Sequence, residues 1–226
     1  MKTFKNSMDV DDPRVLYERA LTLLNSNPGS PLSSWEGLEL MRRLADQGYA
    51  EAQNELGVMY QDGFGAAKNY GESIRWYRLA ADQGYADAQY NLGAMYENGF
   101  GTTQDYSESV NLYRLAADQG LAEAQNNLGV MYEKGFGVAK NYGEAVRFYR
   151  LAADQGDALA QANLGIMYEN GFGVNMDFDE AVRWYRLAAD QGFVVHSVLA
   201  YLMLGPRKKT VGRIDAKRPR DEGASH

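Results

Sequence analysis

Ala-Asp-Gln-Gly stands at Ala45–Gly48, Ala81–Gly84, Ala117–Gly120, Ala153–Gly156 and Ala189–Gly192, each copy beginning 36 residues after the one before. A fixed period of this length marks a stacked array, in which one supersecondary unit is repeated and each unit touches only its neighbours. Working outward from the motif, two helices fit between consecutive copies. The first, helix A, reads Ala50-Glu-Ala-Gln-Asn-Glu-Leu-Gly-Val-Met-Tyr60, with Ala52, Leu56, Met59 and Tyr60 on one side at helical spacing. It is expected to close at Gly63, Gly99, Gly135 and Gly171, with the following Phe folded back on the last turn. The second, helix B, opens at Asn69, Asp105, Asn141 and Asp177, each three residues before a Glu, which is the spacing of a capping box. Its buried side is Ile74, Tyr77, Ala80 and Ala81 and their counterparts, while Trp76, Leu112, Phe148 and Trp184 fill one variable large slot. Gly57 recurs as Gly93, Gly129 and Gly165. A Gly inside a helix costs roughly 1 kcal/mol relative to Ala, so the partner helix is expected to cross there with no room for a Cβ.

The period divides the chain. Residues 1–10 read as a flexible N-terminus and 11–48 as a diverged capping helix pair, opened by Asp12-Pro13 and then by Ser33 with Glu36. Four full units follow at 49–84, 85–120, 121–156 and 157–192. Residues 193–205 keep only an incomplete capping helix, and 206–226 read as a basic, disordered tail. Net charge is −7, yet the tail holds seven Lys/Arg against three Asp/Glu. A body this acidic repels nucleic acid and anionic membrane, so such contacts would have to run through the tail. The chain has no cysteine, which excludes disulfides and zinc-thiolate sites. No secretory leader and no membrane span is legible, and the expected location is the cytoplasm, with a nuclear or secreted-effector location left open.

The unit Ala-x-Ala-Gln-x-x-Leu-Gly-x-Met-Tyr-x-x-Gly-x-Gly, followed by Ala-x-x-x-Tyr-Arg-Leu-Ala-Ala-Asp-Gln-Gly, closely resembles the Sel-one-like repeat (SLR, Sel1-type) family, a relative of the tetratricopeptide repeats. The resemblance covers 33–192 strongly and 11–32 and 193–204 weakly. It implies an all-α fold, a right-handed superhelical solenoid of antiparallel helix pairs, and a role as adaptor or scaffold, in a chain that looks bacterial. Some SLR proteins described as penicillin-binding or β-lactamase-like carry a paired cysteine in each unit. This chain has none, and it lacks a Ser-x-x-Lys nucleophile.

Little else points to chemistry. His196 and His226 are the two histidines, one in the incomplete last helix and one at the final residue. The carboxylates follow the repeat, whereas general acid–base work needs two carboxylates in unlike surroundings. The Gly-Phe-Gly triplets follow a helix, not a strand, and lack a phosphate loop's Lys. No catalytic residue, metal site or cofactor is expected. In tetratricopeptide-like arrays the A helices line the concave face, and stepping 100° per residue away from the core stripe selects Glu51, Asn54, Val58, Gln61; Asp87, Tyr90, Ala94, Glu97; Glu123, Asn126, Val130, Glu133; Leu159, Ala162, Ile166 and Glu169. Six of these sixteen are acidic and none is basic. The expected partner is a protein or peptide segment with basic and apolar residues, and reversing Glu97 and Glu133 is expected to weaken binding without loss of stability. A host-directed effector or toxin-neutralising (immunity) protein is the alternative, and a β-lactam-binding hydrolase stands behind it. The tail could also fold back onto the acidic face.

Overall fold

The structure, a computed structural model, describes residues 12–26, 31–64 and 67–193. The expectations for residues 1–10, the helix beyond Phe193, the basic tail, His196 and His226 lie outside the described residues. Among the described residues there are ten helices and no strand: α1 Pro13–Ser26, α2 Pro31–Asp46, α3 Ala50–Asp62, α4 Tyr70–Asp82, α5 Ala86–Asn98, α6 Tyr106–Asp118, α7 Ala122–Lys134, α8 Tyr142–Asp154, α9 Ala158–Asn170 and α10 Phe178–Asp190. Each helix packs on the next, most extensively within the pairs α1/α2, α3/α4, α5/α6, α7/α8 and α9/α10. The result is an all-α solenoid of stacked helix pairs.

The A helices α3, α5, α7 and α9 each close on a left-handed Gly, as at Gly63 with φ 78°. The B helices α4, α6, α8 and α10 open on a side-chain cap: Asn69 Oδ1 accepts from the N–H groups of Gly71 and Glu72 at 3.0 and 3.1 Å. The second half of the expected capping box is absent. The N–H of Asn69 donates to the Tyr60 carbonyl instead, and Asp105, Asn141 and Asp177 repeat this with Tyr96, Tyr132 and Tyr168. That leaves Glu72, Glu144 and Glu180 to pair with Arg75, Arg147 and Arg183 on the exposed side. In the first pair, α2 begins at Pro31, so Ser33 sits inside its first turn and not at the cap.

The helix glycines have the expected cause. Tyr77, Tyr113, Tyr149 and Tyr185 of the B helices are fully buried. A Cβ at Gly129 would stand 2.6 Å from Cδ1 and Cε1 of the Tyr149 ring. The variable slot reaches backward: Trp76 joins the core of α1, α2 and α3, and Leu112 joins that of α4 and α5.

The opening motif is the joint between units. Helix α4 ends at Asp82, and Gly84 at φ 87° turns the chain into α5. Gln83 Nε2 donates to Gln53 Oε1 at 2.7 Å, and Gln53 Nε2 donates to the Ala45 carbonyl at 3.0 Å. The same two bonds recur through Gln119–Gln89, Gln155–Gln125 and Gln191–Gln161. Each motif is thereby tied through a buried helix-A Gln to the motif one unit earlier, which satisfies amide groups that burial would otherwise penalise. A second joint uses the Gly-Phe-Gly triplets. Phe100, Phe136 and Phe172 stack on Tyr70, Tyr106 and Tyr142 of the preceding unit, with ring centroids 4.8–5.1 Å apart. The rings thus pack across the unit boundary, while the Phe N–H groups close the last turn of their own helix on the carbonyls of Met95, Met131 and Met167.

Candidate functional site

Much of the constancy along the array is accounted for by packing. Besides the glutamine ladder, Arg42, Arg78, Arg114 and Arg150 of the B-type helices donate to the hydroxyls of Tyr60, Tyr96, Tyr132 and Tyr168 in the next A helix. Residues engaged in these rows are not free to read a partner. A binding surface has to be sought where the units differ and side chains reach solvent, and the A helices offer such positions.

Side-chain burial places the sixteen residues selected from the sequence in three groups. Asn54, Asn126 and Ala162 are buried, and Tyr90 is half-buried with its ring 5.6 Å from that of Tyr113. The cause is the neighbouring A helix: Asn91 Nδ2 donates to Asn54 Oδ1 at 2.9 Å, and Asn163 Nδ2 to Asn126 Oδ1 at 3.0 Å. Gln61, Glu97, Glu133 and Glu169 accept from the hydroxyls of the buried tyrosines Tyr77, Tyr113, Tyr149 and Tyr185, at 3.1, 2.6, 2.7 and 2.8 Å. They hold the helix pair together, so Glu97 and Glu133, although half-exposed, are already engaged by the fold. The third group, Glu51, Val58, Asp87, Ala94, Glu123, Val130, Leu159 and Ile166, stays exposed or half-exposed.

The solvent stripe of helix A is therefore rotated. It runs through positions 51, 55, 58 and 62: Glu51, Glu55, Val58, Asp62; Asp87, Asn91, Ala94, Asn98; Glu123, Asn127, Val130, Lys134; Leu159, Asn163, Ile166, Asn170. None of these is buried. Glu55, Asp62, Asn91, Asn98, Asn127, Lys134, Asn163 and Asn170 are the positions that reasoning from a single core stripe misses. Position 62, which reads Asp, Asn, Lys, Asn, was marked by its variability, whereas position 55, Glu, Asn, Asn, Asn, varies no more than position 61 and carried no such signal.

Charge falls off along this stripe, from three carboxylates on α3 to none on α9. Its one cation, Lys134, pairs with Glu133. At the α3 end, Tyr17 of α1 meets Tyr49 edge-on with centroids 5.5 Å apart. Burial pushes the Tyr17 hydroxyl up, and the charges of Glu55 and Glu51 and the Tyr85 ring hydroxyl add to it. Burial likewise raises Tyr85, helped by Asp87, and raises Glu55, which Asp87 pushes further while a bond from Asn54 opposes. Three tyrosines and three carboxylates thus share one field. Beside them lies a recess of about 500 Å³ between α1 and α3, lined by Leu21, Leu24, Glu55, Val58, Met59 and Asp62 among others.

Other surfaces are less distinctive. Leu79, Leu115, Leu151 and Leu187 form an exposed row on the B helices, 39–52% accessible, and Trp35 of α2 is 62% accessible. Among the described residues no three metal-ligating side chains are grouped, and no helix is long and apolar enough to cross a membrane.

The Sel1 repeat family model matches four times, at residues 50–85, 86–121, 122–157 and 158–193. A Sel1 repeat protein from Oxalobacter formigenes is 32% identical over 88% of this chain and 83% of its own, with a TM-score of 0.77. The protein c5321, a protective antigen of uropathogenic Escherichia coli strains displaying an SLR fold, is also 32% identical, with a TM-score of 0.76 over 87% of this chain. This chain spans only 43% of the length of c5321. The immunity protein Pa5087 of Pseudomonas aeruginosa shares the fold at 24% identity and a TM-score of 0.54, over 84% of this chain and 69% of its own. No curated protein matches the chain.

Proposed function

The chain belongs to the Sel1 repeat family, and on that premise we propose that it is a non-enzymatic protein–protein interaction scaffold, binding a segment of a protein partner along the stripe of positions 51, 55, 58 and 62. One observation carries this reading. On the A helices the positions that stay constant are packed or engaged in joints, while the stripe that varies is exposed or half-exposed, acidic at one end and apolar at the other. Repeat arrays offer such stripes as extended binding surfaces. Apolar contacts at Val58, Val130 and Ile166 supply attraction, and the surrounding carboxylates favour a basic partner. Net charge of −7 acts against a nucleic-acid partner.

The toxin-neutralising alternative shares its fold with the Pseudomonas aeruginosa immunity protein, and at 24% identity that likeness speaks for the fold alone. The test of the main reading is affinity capture from the native cell with the unaltered chain and with Asp62→Lys/Asn98→Lys. Both positions are exposed. The double variant should lose the partner and keep its melting temperature. Equal recovery of the same partner by both forms would overturn the assignment of this face.

A further inference from the structure

The stripe is asymmetric along its length as well as across it. Glu51 and Glu55 of α3 and Asp87 of α5 crowd together at one end, beside the rings of Tyr17, Tyr49 and Tyr85. Among the described residues none of these three carboxylates is in an ion pair, and the cation acting on this cluster is Arg14, through Tyr49. At the other end, position 51 has become Leu159, 48% accessible, with half-exposed Ile166 two turns on. Asp157 lies close by, but its carboxylate caps α9 by accepting from the Ala160 N–H at 2.6 Å.

A tyrosine face attracts a cation through the ring quadrupole, and neighbouring carboxylates add a direct charge term. An exposed Leu–Ile pair attracts apolar side chains and gives a cation nothing. Successive A helices are direct neighbours, as the Asn54–Asn91 and Asn126–Asn163 bonds show. Packed helices lie about 8–10 Å apart, so the three steps from α3 to α9 span about 25–30 Å. An extended chain covers about 3.3 Å per residue, and about eight or nine residues bridge the two ends.

We propose that this face reads its partner in one polarity: an extended protein segment whose cationic side chains lie among Tyr17, Tyr49, Tyr85 and the α3/α5 carboxylates, and whose apolar side chains, about eight or nine residues away, lie on Leu159 and Ile166. This rests on the assignment of the A-helix stripe as the binding face. Charge complementarity selects the occupant. The chain's own basic tail meets the first requirement, and the experiment separates it from a partner.

The probe is a set of fluorescent peptides with a Lys-Arg pair at one end and a Leu-Ile pair at the other. Neutral Ser/Asn spacers vary from about three to about eleven residues, to bracket the span at about 3.3 Å per residue. Both chain directions are made, and binding to the full chain is followed by anisotropy. One direction should bind best, with an optimum near the bridging length. Glu51→Gln/Asp87→Asn should weaken it by about tenfold or more, and Leu159→Asn should abolish the advantage of the apolar pair. Binding that ignores spacer and direction, yet falls with Glu51→Gln/Asp87→Asn, would overturn the polarity and leave the face assignment standing. Binding indifferent to every stripe substitution would overturn both. Arg207→Ser/Lys208→Ser/Lys209→Ser, in the full chain, should leave affinity unchanged. A marked rise in affinity would mean that the tail itself occupies the face, against a separate partner.

Discussion

Glu133→Ala tests whether the glutamates at position 133 and its counterparts are structural. The Glu133 carboxylate accepts from the hydroxyl of Tyr149, a residue with no exposed surface, at 2.7 Å. Burial raises the Tyr149 pKa, and the bond to Glu133 and its charge raise it further, so the hydroxyl is a neutral donor throughout the usual pH range. Removing the acceptor loses a charge-assisted bond and strands a buried donor, which together cost about 1.5–3 kcal/mol. The pair with Lys134 adds little, because the lysine side chain is 52% exposed. In a chain of this size each kcal/mol moves the melting temperature by about 2–4 °C, so a fall of about 3–12 °C is expected. Glu133→Gln keeps an acceptor and should recover about half of it. Glu123→Ala, on the same helix, removes an exposed carboxylate from the first turn, where its favourable interaction with the helix dipole is worth about 0.3–1 kcal/mol. Thermal unfolding by circular dichroism separates the three. Equal melting temperatures for Glu133→Ala and Glu123→Ala would refute the structural role.

Three more outcomes follow from the same packing. Gly129→Ala gains about 1 kcal/mol of helix propensity but drives a Cβ to 2.6 Å from the buried Tyr149 ring, so it should lower stability by up to about 2 kcal/mol net, measured by urea unfolding. Glu55→Gln should raise stability at pH 7: burial, reinforced by Asp87, raises the Glu55 pKa above its unfolded value, so its ionised form disfavours the native state. That gain should shrink as pH falls through the native Glu55 pKa and vanish below the unfolded value of about 4.3. Tyr77, Tyr113 and Tyr149 are also pushed up by burial, so stability should fall as pH rises above about 10, where the unfolded tyrosines ionise. In absorbance titration these rings should ionise only as the chain unfolds.

The fold was legible because the period repeats every constraint. Four copies of Gly57 and Tyr77 in register state a helix crossing that one copy leaves ambiguous. The Gln of the opening motif was not legible as a joint, since its partner Gln53 lies 30 residues earlier and no local pattern connects them. The binding stripe was legible by halves. Setting it opposite the core assumes that helix A touches one neighbour. In the array it touches its own helix B, the previous unit's B and the adjacent A helices, which bury Asn54 and Asn126 and draw Glu97 and Glu133 onto tyrosines. Positions 55 and 62 keep surface in every unit, half-exposed at 55 and exposed at 62.

The register of that stripe can be measured without knowing the partner. The chain has no cysteine, so a single introduced thiol reports alone. Asn126→Cys and Asn127→Cys place it on adjacent positions of α7, one buried and one half-exposed. Labelling of the native chain by a thiol reagent should be fast for Asn127→Cys and at least about a hundredfold slower for Asn126→Cys, limited there by local opening of the array. Similar rates at the two positions, or faster labelling of Asn126→Cys, would contradict the placement of the binding face on positions 51, 55, 58 and 62.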